Sequence, residues 1–269
     1  DADITIATKP VPRETASSLG LMRINHHGQV VEFAEKPEDP AVLDRFSIKG
    51  GAFNGYYPAS MGIYLFKKKV LQEVLQSDNH DFGKHIIPES LANRRVFSFQ
   101  FTQYWEDIGT IGSFFAANLE MASETPSLDL FNPEWTIYTR PRHLPSSAIT
   151  GCDVQRAIVT EGCRLEKAKI ENASIGIRSW VRAGSHLRDV VMMGGDFYER
   201  NRSIGLPAVG VGEDSFIERA ILDKNVRIGR NVHIRDHSGE PDGDFENYHI
   251  RDGVVVVPKN TVIPDGSVI

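Results

Sequence analysis

The sequence predicts an α/β domain followed by a solenoid of short, stacked parallel strands. Three observations carry this. In the last part of the chain Ile250, Val256, Val262 and Val268 fall six residues apart, and Ile175, Val181, Leu187 and Leu222, Ile228, Ile234 repeat that spacing. An amphipathic helix places apolar residues three or four apart and a half-buried strand two apart, so a period of six points to stacked coils. The first part instead alternates strand-like and helix-like runs, the pattern of an α/β domain. Between the two, Pro126, Pro133, Pro141 and Pro145 mark an extended connection. The predicted boundaries are 1–126, a linker over 127–148, and 149–269.

Composition narrows the function. The chain has 269 residues, enough for a core in each of two domains. Its 36 acidic and 30 basic residues form no long charge run, which excludes nucleic acid and a membrane surface as main partners and favours small-molecule work. No apolar run reaches the roughly 18 residues of a membrane helix, and the N-terminus has no secretory pattern. Cys152 and Cys163 match no metal spacing. They are read as free thiols in a reducing cytoplasm, with a cross-link as the other possibility. The chain opens at Asp1 inside a strand-like run, with no Gly-rich phosphate loop downstream, so the fold is expected to begin upstream.

The elements follow in order. Asp3 to Ala7 reads as a strand. Leu19 to Ile24 and Val30 to Phe33 read as a hairpin turning at His26, His27, Gly28 and Gln29. The hairpin delivers Glu35 and Lys36 to a strand end that Pro37 fixes. Glu35 can accept hydrogen bonds from sugar hydroxyls and Lys36 suits a phosphate, although composition alone favours a solvated surface pair. Residues 38–58, rich in Pro, Gly and Asp, read as a lid or irregular loop. Ala59 to Phe66 is a buried strand opening with small residues, which makes Ser60 a candidate ligand contact. Lys67 to Gln76 is helical, and a second helix around Ile86 and Ile87 is limited or kinked by Pro88.

The strand Val96 to Phe101 leads into Tyr104, Trp105, Glu106, Asp107, Ile108, Gly109 and Thr110. Asp107 is placed to hold a hard cation such as Mg²⁺ bridged to phosphates. The competing role is the N-cap of the helix Ser113 to Met121, but Thr110 stands nearer. In the linker, Arg140 and Arg142 flank Pro141 and either face an anion or solubilise the segment. The solenoid carries small residues at its corners (Gly176, Ala183, Gly184, Ser185) and two polar insertions, Gly194 to Pro207 and Arg235 to His249, expected to loop out. Lys224 and Lys259 each precede an Asn at equivalent places in successive coils, where composition favours a solvated turn residue. The nine His residues repeat no metal spacing and are read as surface or structural groups.

Gly20-Leu21-Met22, Phe33-Ala34-Glu35-Lys36-Pro37, Ala59 to Tyr64, Asp81-Phe82-Gly83 and Tyr104 to Thr110, in this order, resemble the glucose-1-phosphate adenylyltransferases (ADP-glucose pyrophosphorylases). The resemblance implies part of a Rossmann-like nucleotidyltransferase domain followed by a left-handed parallel β-helix. It implies AMP transfer from ATP to glucose 1-phosphate, giving ADP-glucose and pyrophosphate, in glycogen or starch synthesis. Gly20, Glu35, Lys36 and Ser60 would bind glucose 1-phosphate. Asp107 would be one of two carboxylates holding Mg²⁺. Arg142, Lys224 and Lys259 would bind a phosphorylated effector in a homotetramer. The family's Gly-rich nucleotide loop and second metal-binding Asp are absent from this sequence, so this polypeptide alone is expected to be inactive. The alternatives are a hexapeptide-repeat acyltransferase, a noncatalytic regulatory subunit, and a nucleotidyltransferase for another sugar or base.

Overall fold

The computed structural model describes residues 1–199 and 205–269, which form two compact units, Asp1–Trp105 and Glu106–Ile269. The first is built on a five-stranded mixed sheet. Its elements are β1 (Ile4–Val11), α1 (Arg13–Ala16), β2 (Gly20–Ile24), β3 (Val30–Glu35), α2 (Pro40–Phe46), β4 (Tyr57–Phe66) and α3 (Lys68–Val74). A π-helical turn (Phe82–Ile86), α4 (Ile87–Ser90) and β5 (Val96–Gln100) complete it. The spatial order is β3-β2-β4-β1-β5, with β1 antiparallel to β4 and parallel to β5.

Alternation along these strands divides the apolar residues between two faces. Ile4, Ile6, Met22 and Val96 pack with Val70 and Ile87 of the helices, while Leu21 and Ala59 pack with Leu43 and Phe46 of α2. The hairpin of β2 and β3 turns as read, with Gly28 at a φ of 80°.

Three readings of this unit need correction. The stretch 38–58 is not all loop, because it contains α2. Asp39 accepts a hydrogen bond from the Ala41 backbone at 2.8 Å and Pro40 fills the first turn, a strong helix start inside a Pro- and Gly-rich segment. Only the first half of β4 is buried. Its second half turns Leu65 outward at 71% exposure. Pro88 does not end a helix; it sits in the first turn of α4, where its missing N–H leaves no bond unmade.

The second unit opens with α5 (Ile111–Glu120), capped by Thr110 in a reciprocal box with Ser113. Phe115 and Leu119 of α5 pack on Val191, Ile221 and Val254 of a parallel β-helix. One ladder stacks Asp153–Val159, Lys169–Ile175, His186–Met192 and Phe216–Leu222 and ends on Val254–Val257. A second stacks Ala148–Thr150, Arg164–Glu166, Trp180–Val181, Gly210–Val211, Arg227–Ile228 and Val262–Ile263. Ile175, Val181, Leu187, Leu222, Ile228 and Ile234 are fully buried, as their spacing requires.

The last ladder has the expected period but a different phase. Val257 and Ile263 point inward, whereas Val268 is 79% exposed and Ile250 lies in an antiparallel strand, His249–Arg251. The segment Val254–Val257 is apolar at every position, so spacing alone could not choose the inward residue. The insertion from Arg235 does not simply loop out. It returns as two short antiparallel strands on Val254–Val257. Of the other insertion, residues 200–204 lie outside the described residues.

Both cysteines are free thiols: buried Cys163 donates to the Gly176 carbonyl at 3.1 Å, and the Cys152 sulfur accepts from the Ala168 backbone. Among the described residues no helix is long and apolar enough to cross a membrane.

Candidate functional site

The chemistry-bearing residues of the first unit converge on Glu35, the last residue of β3. Gly20 pairs directly with it across the hairpin. A Cβ on Gly20 would stand 2.7 Å from Glu35 Oε2, and one on Gly83, in the π-helical turn, 2.5 Å from the same oxygen. The carboxylate therefore rests between two backbone positions that admit it only because they carry no side chain. Among the described residues no hydrogen-bond or ion-pair partner meets it. Burial raises its pKa; nearby Asp81 adds to the rise, and the Lys36 and Lys84 ammonium groups oppose it.

Lys36 follows in a left-handed conformation, φ 46°, with its backbone N–H on the Leu19 carbonyl at 3.2 Å. A long side chain at positive φ stores strain, a recurrent trait of ligand-binding positions. Buried Pro37 anchors the chain immediately after it.

Ser60 lies on the buried half of β4, 8% exposed, its oxygen accepting from Gly62 N and lying 3.4 Å from the Tyr64 hydroxyl. Tyr64 stacks on Phe82 at 5.8 Å, and burial pushes its phenol upward. Asp81 caps the π-helical turn by accepting from Lys84 N at 2.8 Å, which holds its own pKa down. The result is one half-buried carboxylate without a partner, two cations beside it and two hydroxyls close by. That donor and acceptor set fits a polyhydroxylated phosphate. Gly20, Glu35, Lys36 and Ser60 are thus placed in one unit. Tyr64 and Lys84 join them without having been singled out in the sequence.

The remaining candidates lie in the second unit. Asp107 is exposed, ahead of the capped start of α5, and Thr110 rather than Asp107 makes the cap. Among the described residues no group of three His, Cys, Asp or Glu side chains could enclose a metal. A lone exposed carboxylate still fits Mg²⁺, which keeps several waters and takes one or two carboxylates with substrate phosphates. Arg142 is exposed and donates to the Arg140 carbonyl at 3.3 Å.

Lys224 and Lys259 are brought together by a residue the sequence did not point to. Asp196 pairs with Lys224 at 3.0 Å and with Lys259 at 2.8 Å, and it accepts from the Asn225 amide at 3.1 Å. Lys259, Lys224 and Asn225 hold its pKa far below the usual carboxylate range. A carboxylate depressed on folding contributes stability that is present above its unfolded pKa, about 3.9, and is lost as pH falls through its folded value. Asp196→Asn is therefore expected to lower the urea midpoint at pH 7, with the gap from wild type shrinking as the solution is acidified below about pH 4. A gap that stays constant with pH would show that the bridge contributes nothing ionic.

The nucleotidyl transferase family description matches residues 1–124, and that of the GLGC left-handed parallel beta-helix domain matches residues 142–268. The glucose-1-phosphate adenylyltransferase large subunit 1 of Zea mays, named as chloroplastic/amyloplastic, is 41% identical over 289 aligned positions. The chain is thus similar to that large subunit along its whole length, and to the nucleotidyl transferase family and the GLGC β-helix domain in its two parts. The alignment takes in 100% of this chain and 56% of that relative, so the chain spans little more than half its relative's length.

Proposed function

We propose that the protein transfers AMP from ATP to glucose 1-phosphate in glycogen or starch synthesis. The unpartnered Glu35 carboxylate between Gly20 and Gly83 carries this reading, with the similarity to the adenylyltransferase large subunit beside it. Glu35 accepts hydrogen bonds from sugar hydroxyls, Ser60 lines the approach, and Lys36 meets the sugar phosphate. A phosphate oxygen of glucose 1-phosphate attacks the α-phosphorus of ATP. The new P–O bond forms as the bond to the bridging oxygen of the β-phosphate breaks, and that electron pair leaves on pyrophosphate. Positioning and charge stabilisation supply the catalysis, and no covalent nucleophile takes part. Mg²⁺, held in part by Asp107, supplies neutralisation of phosphate charge when bound.

Arg142, Lys224 and Lys259 form the proposed site for a phosphorylated effector; the meeting of both lysines on one carboxylate, Asp196, supports that reading, since it holds two ammonium groups side by side. The expected assembly is a homotetramer. The relative's designation as a large subunit favours a second reading, in which this chain acts beside another kind of chain. Native mass of the purified protein, alone and with candidate partner chains, separates the two. The compartment is proposed as the cytoplasm, with a plastid, the location in the relative's name, as the alternative.

Pyrophosphate release from ATP and glucose 1-phosphate tests the reaction, and its absence with both substrates and Mg²⁺ present would overturn it. Asp107→Asn is expected to lower turnover at least about tenfold with little change in the Michaelis constant for the sugar phosphate. Full activity would remove Asp107 from the reaction.

A further inference from the structure

The first unit holds a cavity of about 520 Å³ that shares no residue with the Glu35 cluster. Its volume falls within the range of small-molecule sites, roughly 300–1,000 Å³. Pro10, Ile24 and Ile48, each only partly buried, give it an apolar floor. Arg23, Arg45 and Lys49 also line it, and no acidic side chain does. That is an uneven charge distribution for a chain with a formal net charge of -6.

The internal neutralisation is incomplete. Glu32, outside the lining, takes Arg23 at 2.9 Å on one oxygen and Arg45 at 3.3 Å on the other. One carboxylate thus serves two guanidinium groups, each of which has further N–H donors. Lys49 has no carboxylate partner among the described residues. A bare inorganic anion would leave most of such a volume empty and its apolar floor wet. The space and the charge together require a ligand with an uncharged body and an anionic group.

The geometry points to a second ligand site here, for a small organic anion such as a phosphomonoester, with its anionic group on Lys49 and its uncharged body over Pro10, Ile24 and Ile48. This site is separate from the proposed sugar-phosphate cluster and from the lysine pair of the β-helix. Its existence does not depend on the proposed reaction.

Titration calorimetry of the whole protein with phenyl phosphate, and with inorganic phosphate for comparison, tests it. Phenyl phosphate is expected to bind more tightly than inorganic phosphate, because only it covers the apolar floor. Lys49→Ala is expected to weaken phenyl phosphate about tenfold, the size of a lost charge-assisted hydrogen bond, and Lys49→Glu to weaken it further. Lys49 is exposed without a bonded partner, so thermal unfolding of both variants should match wild type. Lys36→Ala is expected to leave phenyl phosphate affinity unchanged. No binding at millimolar concentration, or equal affinity in wild type and Lys49→Ala, overturns the proposal. Loss of binding in Lys36→Ala alone would place the ligand in the Glu35 cluster and equally overturn it.

Discussion

Replacing Glu35 by Ala is expected to weaken glucose 1-phosphate binding by about ten- to a hundredfold, the range of one or two hydrogen bonds to a charged acceptor. The expectation rests on what Glu35 lacks. Among the described residues nothing bonds its carboxylate, although burial raises its pKa and two backbone positions are kept bare to seat it. A half-buried carboxylate with no protein partner keeps its acceptor sites open to a ligand. The sign with pH follows. Because its folded pKa is raised, Glu35 is harder to ionise than an ordinary carboxylate, and acidification through that raised value removes the acceptor. Sugar-phosphate affinity should therefore fall on acidification earlier than titration of an ordinary Glu, near 4.3, would bring about. The same protonation relieves the burial cost, so Glu35 opposes folding less at low pH. Calorimetric titration across the acid range checks both wild type and variant. Equal affinities, or a parallel pH dependence in the two, would remove Glu35 from the site.

Gly194→Ala is expected to destabilise the second unit by about 3 kcal/mol, a large share of the roughly 5–15 kcal/mol by which domains are stable. Two effects combine at this position. Its φ is 84°, where an L side chain is strained, and an added Cβ would run into the Ile177 carbonyl oxygen, with the Gly176 carbonyl carbon only 2.7 Å away. The neighbours are backbone and cannot rotate aside. The Gly194 carbonyl accepts from Asn225 N at 3.0 Å and Gly195 N donates to Ile177 at 2.7 Å, so the chain is tied on both sides. Urea unfolding measures the loss. A midpoint within error of wild type would mean that the coil has room the structure does not show.

How much of this could be read from the sequence differs from element to element. The cap of α5 was legible because Thr110 and Ser113 are local, and the inward residues Ile228 and Ile234 because no apolar side chain adjoins either of them. Val254–Val257 defeated the same reasoning, since a run apolar at every position has a period but no phase. Helix α2 was hidden by the Pro and Gly residues around a sound Asp39-Pro40 start. At the site, Glu35 and Lys36 were visible as neighbours of Pro37. The seat of Glu35 was not, because it depends on Gly83, far along the chain, closing on the same oxygen. Asp196 was invisible for a similar reason: Lys224 and Lys259 recur at the solenoid's spacing, but the carboxylate that joins them comes from an insertion outside the repeat.

That insertion bears on how the solenoid comes apart. A stack of coils held only by nearest-neighbour contacts tends to fray from its ends, each terminal coil opening at its own modest cost. Asp196 reaches past its own coil to two later ones, and the Asn225 amide donates to the Asn260 side-chain oxygen at 3.0 Å. Opening the coil that carries Lys259 therefore strips ligands from Asp196 and disturbs the coil that carries Lys224. The last turns of the solenoid are thereby tied into one cooperative block, so an event at either lysine is felt across three levels of the stack.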